Sequence, residues 1–354
     1  MASIDTLTTT LDELRTAISK EYSESLCFIL VDENTRKHCL PPLFALHHLL
    51  NMPTSIQNAR IIEIHSGEQD KNIETFIRII EQLNEHHADR NSLLINLGGG
   101  MICDIGGFVA ACYKRGIDFV NIPTTLLCMI DAAHGGKTGV NFDNYKNQIG
   151  VFVQPKMVGI DVEFLNTLPN EQVLSGFAEM LKIALITSVD FWNAIKNVDL
   201  NDLNSLKPFI IESIERKMQI VKKDPIEKNS RKVLNFGHTF GHAFETFALE
   251  NGFELLHGHA VAMGILCELW LSEKILNFDA NQRQEISNFI LSKYAKFPIQ
   301  PADFEQLFSI MLRDKKNSKG EIKPILLEKI GHPRYDLSCS KELCLEAFRV
   351  YSAL

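Results

Sequence analysis

Short apolar runs, set apart by turn signals and helical spacing, constrain the first half of the chain more than any other feature. Residues 26–31 stop at Asp32, and residues 59–65 lead into Gly67-Glu-Gln-Asp-Lys71. Residues 92–97 are broken by Gly98-Gly99-Gly100, and residues 119–122 are closed by Pro123. Each run reads as a buried strand. Over 72–86 the residues Ile73, Phe76, Ile79, Ile80 and Leu83 recur at helical spacing. Strands alternating with helices predict an α/β domain built on a doubly wound, mostly parallel sheet.

The pattern changes near residue 165. Segments 171–187, 206–221, 233–250, 260–275, 280–294 and 302–314 all carry helix-like spacing, with few strand-like runs between them. A chain of 354 residues exceeds one typical domain. The expected division is therefore an α/β domain over 1–164 and an all-helical domain over 165–354. Ligand pockets favour domain clefts, so the site is expected between the two.

Composition narrows the function classes. A net charge of −8 argues against a nucleic-acid partner, because phosphate binding needs a basic face. No apolar run approaches the roughly 18 residues of a membrane helix, and no charged-then-apolar leader opens the sequence. The eight cysteines are scattered without a Cys-x-x-Cys pair, as expected for a reduced, cytoplasmic protein.

Gly98-Gly-Gly-Met-Ile-Cys-Asp104 follows a strand and opens a helix. Glycines let the backbone approach a pyrophosphate, and a helix N-terminus offers free N–H groups. The stretch is not Gly-x-Gly-x-x-Gly, so a plain tight turn competes with nucleotide binding. Asp32, at a strand end where an acid could meet a ribose hydroxyl, favours the nucleotide. So do Glu68 and Lys71 after the second strand. Asp131-Ala-Ala-His-Gly-Gly-Lys137-Thr, followed by Lys146-Asn147, is a glycine-bearing loop with two lysines. It lacks both the first glycine and the strand–helix context of a P-loop, which excludes that kind of ATP site. Two solvated lysines, or a site for a small anionic ester, remain the readings.

Glu179 and Lys182 are three apart on one face of an apolar helix. They suit either a surface salt bridge or a carboxylate ligand beside a substrate lysine. Lys217 and Arg231 flank Lys222-Lys-Asp-Pro225. In Arg231-Lys-Val-Leu-Asn235-Phe-Gly-His238-Thr-Phe-Gly-His242, the two histidines lie one helical turn apart, and His257 and His259 follow. Gly237 and Gly241 sit beside the first two. Glycine inside a helix costs about 1 kcal/mol relative to alanine, so two of them need a reason, and a metal or ligand against that face is one. The pattern is not His-Glu-x-x-His, which excludes a zinc-protease assignment. Three protein ligands with open positions would suit catalytic zinc.

These pieces, in this order, resemble the 3-dehydroquinate synthase family of sugar phosphate cyclases over almost the whole chain. The likeness runs from Asp32 and Gly67-Glu-x-x-Lys71 through Gly98-Gly-Gly with Asp104, Lys114-Arg115-Gly and Ile122-Pro-Thr124-Thr125. It continues through Asp131 with Gly135-Gly-Lys-Thr, Lys146-Asn147, Gly176-Phe-Ala-Glu-Met-Leu-Lys182 and 231–242 to His257-Gly and Asp314-Lys315-Lys316. The resemblance implies an NAD-binding α/β domain, a helical metal-binding domain and a homodimer. It implies a metal triad of Glu179, His238 and His257 holding zinc or cobalt. For NAD it implies Asp32, Glu68, Lys71, Gly98, Gly99, Gly100, Asp104, Thr124, Thr125, Lys137 and Lys146.

The reaction so implied converts 3-deoxy-D-arabino-heptulosonate 7-phosphate to 3-dehydroquinate plus phosphate, a step of the shikimate pathway. NAD transiently oxidises an alcohol that the metal polarises, phosphate is eliminated, the hydride returns, and an aldol closure forms the ring. Lys137, Asn147 and Arg115 fall to the phosphate, Arg115 reaching across from another subunit. Lys217, Arg231 and one of Lys315 or Lys316 fall to the carboxylate and ring oxygens. Lys182, Asn235, His242 and Asp131 complete the hydroxyl contacts and proton relay. Two departures stand out: His259 replaces an acid of the usual His-Gly-Glu, and the usual Asp-Ser-Ser-Val reads Asp131-Ala-Ala-His134. The competing readings are another sugar phosphate cyclase and a metal-dependent polyol dehydrogenase of the same fold.

Overall fold

The computed structural model describes residues 7–44, 54–143, 145–313 and 321–354. The chain divides into two compact units, Met1–Pro169 and Asn170–Leu354.

The first unit is built on parallel strands β1 (Leu7–Thr10), β2 (Cys27–Asp32), β3 (Arg60–Ile64), β4 (Leu93–Gly98) and β5 (Asp118–Pro123). A sixth, β8 (Met157–Ile160), joins them in the order β1-β8-β5-β4-β2-β3. Every residue of β2 and β4 is buried, which is why these strands read as unbroken apolar runs rather than as an alternation. Phe28, Leu30, Ile62, Leu94 and Phe119 point to one face of the sheet. There they pack with Ile79 and Leu83 of a helix over Ile73–Glu85 and with Ile102, Ile105 and Val109 of a helix over Gly100–Cys112. Truncating one such aliphatic side chain costs about 2–5 kcal/mol.

From β2 the chain steps outward to β3, then returns to the other side of β2 as β4. The order of the sheet therefore reverses between β2 and β4. At such a point the crevice beyond the strand C-termini stays open for a ligand. Asp32 and Gly98 end the two strands that flank it.

Two readings of the first half change. Residues 137–152 form an antiparallel hairpin, β6 (Lys137–Phe142) and β7 (Tyr145–Phe152), rather than a loop. Gly139 and Gly150 face each other there so closely that a Cβ on Gly150 would lie 2.1 Å from Thr138 O. The sheet also gains β1 and β8, absent from the four apolar runs: β1 is mostly threonine, and the short β8 pairs in parallel with β1 on one side and β5 on the other.

The second unit is helical apart from a short hairpin, β9 (Leu326–Lys329) and β10 (His332–Arg334). Its centre holds helices over Asn170–Thr187 and His257–Leu276, apolar nearly all round and buried accordingly. Around them stand helices over Leu203–Lys223, His238–Glu250, Ala280–Lys293 and Phe304–Arg313. Val189–Ile195 and Lys341–Ala353 add helices that the spacing did not reveal. The segment 233–250 is not one helix. A 3-10 turn over Ser230–Asn235 ends at Phe236, and Gly237, at φ +81°, takes the left-handed conformation that starts the helix anew at His238. Among the described residues no helix is long and apolar enough to cross a membrane.

Candidate metal centre and nucleotide edge

At the carboxyl edge of the first sheet, Gly99 caps the helix Gly100–Cys112 without a side-chain partner, which leaves its first N–H groups aimed outward. A Cβ on Gly98 would meet Ile102 at 2.5 Å, so strand and helix close tightly here. Thr124 donates its N–H to Gly98 O at 3.0 Å, joining the β5 turn to this edge, and the Thr125 hydroxyl accepts from Cys128 N. Asp32 takes on a structural duty. Its Oδ1 accepts from Thr35 N at 2.7 Å and from the Thr35 hydroxyl at 2.9 Å, capping the helix Glu33–His38.

Lys71 is buried, and its ammonium is held by the Asp104 carboxylate and the Asn147 side-chain oxygen. Burial alone would lower its pKa, but Asp104 and then Glu68 outweigh it and hold it above the ordinary lysine value. Burial likewise raises Asp104, against the pull of Lys71. Asn141 ties the loops together. Its amide donates to Glu68 Oε1 at 2.9 Å and to Glu68 O at 3.1 Å, while its oxygen accepts from Asn147 N at 2.8 Å. Glu68, Lys71, Asp104 and Asn147 thus come together, clasped by an asparagine whose part the sequence did not disclose. Lys137 and Lys146 lie exposed on the hairpin.

Asp131 sits in a π-helical turn, Cys128–Ala132, and the buried His134 ring contacts Met129 O at 2.8 Å. Two buried amides anchor this turn to the sheet. Asn96 donates to Asn121 Oδ1 at 2.9 Å, and Asn121 donates to Ala133 O at 3.3 Å. Arg115 lies apart. It follows the far end of the helix Gly100–Cys112, about 20 Å from Gly99 at 1.5 Å per residue. With Lys114 it adopts positive φ, 69° and 49°.

In the second unit, Glu179 and Lys182 are both almost wholly buried and form an ion pair, so the surface-bridge reading fails. Around Glu179 gather His238 Nε2 at 3.4 Å and His257 Nε2 at 3.7 Å from Oε1. Glu179, His238 and His257 each offer one atom within 4.8 Å of the others. One carboxylate and two imidazoles match the donor chemistry of a catalytic divalent cation. The His238 ring is oriented by its Nδ1 contact with Phe236 O at 3.2 Å, and His257 Nδ1 meets Glu245 Oε2 at 3.4 Å. Although burial opposes it, the Glu179 and Glu245 carboxylates push the pKa of His257 up to about 10. Glu245 belongs to none of the sequence motifs. Its helical offset of three from His242 was the signal that could have found it.

His242 stands beside the triad, its ring 5.3 Å from His238 and 6.0 Å from His257 between centroids. His259 turns away and sets its ring edge-on to Tyr294 at 5.3 Å. Lys217 and Arg231 are buried cations. Arg231 donates to Pro225 O at 2.7 Å, and Asn235 donates to Glu227 Oε1 at 2.7 Å, which adds Glu227 to the neighbourhood. Asp314, Lys315 and Lys316 lie outside the described residues.

The glycines around His238 serve packing rather than a metal. A Cβ on Gly237 would fall 2.8 Å from Val261 O, and one on Gly241 would fall 3.0 Å from Ala260 O. What approaches that face is the neighbouring helix.

A parallel nucleotide-type sheet followed by a helical unit is the arrangement of the dehydroquinate synthase-like fold, and the buried carboxylate–histidine cluster has the donors to hold a metal. Sequence models of the 3-dehydroquinate synthase N-terminal and C-terminal domains match residues 61–175 and 176–317. A 3-dehydroquinate synthase of Parabacteroides distasonis is 41% identical over 326 residues, covering 92% of this chain and 90% of that one. The chain belongs to the 3-dehydroquinate synthase family. Two solved structures share its fold. One is a 2-epi-5-epi-valiolone synthase from Streptomyces hygroscopicus with NAD+ and Zn2+ bound, at TM-score 0.85 and 23% identity, covering 100% and 98% of the two chains. The other is a 2-deoxy-scyllo-inosose synthase complexed with carbaglucose-6-phosphate, NAD+ and Co2+, at TM-score 0.81 and 24% identity, covering 97% and 96%.

Proposed function

We infer that this chain carries out the family's cyclising phosphate elimination, taking 3-deoxy-D-arabino-heptulosonate 7-phosphate to 3-dehydroquinate and phosphate. The observation that carries this reading is the Glu179–His238–His257 cluster with the ion-paired Lys182 beside it, in a chain matched by family models over both of its parts.

The donor set fits a divalent ion such as Zn2+ or Co2+, and the open first turn at Gly99–Gly100 fits a pyrophosphate. When bound, the ion supplies Lewis acidity at the substrate's hydroxyl oxygens, and NAD supplies a reversible hydride acceptor. The protein's own part is to hold and orient. Lys71, fixed by Asp104 and Asn147, presents a cation at the nucleotide edge, and Asp32 and Glu68 border it. Lys137, Lys146 and Asn147 would take the phosphate, whose departure leaves two negative charges to be matched. Lys217 and Arg231, buried cations, would take the carboxylate. Those two also favour a sugar acid over the carboxylate-free substrates of other cyclases. His242, beside the triad, is placed to move a proton at a substrate hydroxyl, with Asn235 and Asp131 among the hydroxyl partners.

The reaction class is carbon–oxygen lyase. A homodimer in the cytoplasm is the expected setting, in which Arg115 reaches a second copy's phosphate. The test is turnover of the heptulosonate phosphate with NAD at catalytic levels. Phosphate should be released with no net NADH, and chelation of divalent metal should stop it. NADH accumulating in step with phosphate, or full turnover after chelation, overturns the reading.

A further inference from the structure

The helix His257–Leu276 carries a carboxylate, Glu268, that is fully buried in an otherwise apolar stretch. Such a group is costly unless hydrogen bonds replace its water. Here both oxygens are used. Gly237 N donates to Oε2 at 2.7 Å, and Thr239 N donates to Oε1 at 3.2 Å.

The two N–H groups bracket His238, the first residue of its helix, and that helix has no side-chain cap from its own sequence. A helix start leaves N–H groups unpaired and carries partial positive charge, so a carboxylate there is favoured twice over. Glu268 supplies this cap from the neighbouring helix. Side chains lean toward a helix N-terminus, and its carboxyl accordingly reaches toward Gly264, where the helices touch. A Cβ on Gly264 would lie 1.9 Å from Gly237 O. The start of the His238 helix is therefore gripped at Gly237 O by contact and at two N–H groups by charge. From this fixed start the His238 ring is set by Phe236 O, and Nε2 faces Glu179. Glu268 is no ligand itself, because it lies about 16 Å along the helix from His257 at 1.5 Å per residue.

We propose that Glu268 is a positioning residue of the metal centre, capping the helix that begins at His238 and so aiming His238 at the ion. The inference rests on the Glu179–His238–His257 reading above. The test compares the parent with Glu268→Gln and Glu268→Ala by competition titration of Zn2+ and by the visible spectrum of the Co2+ form, with no turnover measured. Outer-shell changes weaken metal affinity by about 10- to 100-fold. Glu268→Ala should fall in that range with an altered cobalt spectrum. Glu268→Gln keeps one acceptor oxygen and should lie between Glu268→Ala and the parent. If Glu268→Ala does not fold, Glu268→Gln alone decides. Unchanged affinity and spectrum in a folded variant, even one of lower melting temperature, overturn the proposal. A parent that binds no metal overturns the metal-centre reading instead, so the two failures are distinct.

Discussion

The nucleotide edge of the first unit and the metal centre of the second are both built from charged groups, yet they are held in opposite ways. At the edge, side chains from loops, a hairpin and the first turns of a helix hold one another: Lys71 to Asp104 and Asn147, and Asn141 to Glu68. At the metal centre, His238 and His257 open their helices and Glu179 lies mid-way along a third, the first two helices touch backbone to backbone, and Glu268 caps the His238 helix. The difference teaches where tolerance lies. A side-chain clasp can be replaced by water, whereas a backbone contact leaves no room for anything larger than hydrogen.

The largest expected effect removes a ligand. His257→Ala should weaken metal binding by more than about 100-fold, beyond the range of outer-shell changes, while His259→Ala leaves the metal content near that of the parent. Metal analysis after dialysis checks both, and loss that tracks His259 would overturn the ligand set. Next comes a direct contrast between the two kinds of clasp. Gly264→Ala forces a methyl onto Gly237 O and should cost about 3 kcal/mol, the upper end for overpacking. Asn141→Ala removes hydrogen bonds that solvent can replace and should cost about 1 kcal/mol. Denaturant unfolding measures both, and equal losses would erase the distinction.

The smallest effect is a pH dependence. In the metal-free protein the pKa of His257 is raised to about 10 from 6.5. A raised value means that its stabilisation is present in full below about pH 6.5 and is lost as the pH climbs toward about 10. Metal binding needs the neutral ring, so affinity should rise across that same window. Melting curves of the metal-free protein and metal titrations at matched pH should therefore run in opposite directions. Parallel trends would break the assignment.

Much of this was legible in the chain. Strands β2 and β4 announce themselves because burial on both faces leaves an unbroken apolar run. The family motifs were readable in order, and the i, i+4 spacing did bring His238 and His242 within 5.3 Å. The glycines and lysines of 131–141 and 146–147 read as a loop, and only cross-strand pairing orders residues 137–152 as a hairpin. The break at Gly237 is hidden in the sequence because apolar spacing continues across it, while the left-handed turn costs glycine little. Glu245, Glu268, Asn96 and Asn121 carry no sequence signal of their own, since each looks ordinary until its partner, distant in sequence or a turn away, is known.

By itself the sequence determined the periodicities, hence a parallel sheet followed by helices, and it determined the chemical types at each motif. Local spacing governs both, and neither needs distant neighbours. Only the tertiary structure decided which groups meet. It put Glu179 against histidines about sixty and eighty residues later, turned His259 away from His257, and spent the glycines of the His238 helix on a neighbouring helix rather than on a metal. Those choices follow from close packing of helix surfaces, which depends on shape across the whole unit and leaves no local mark in the chain.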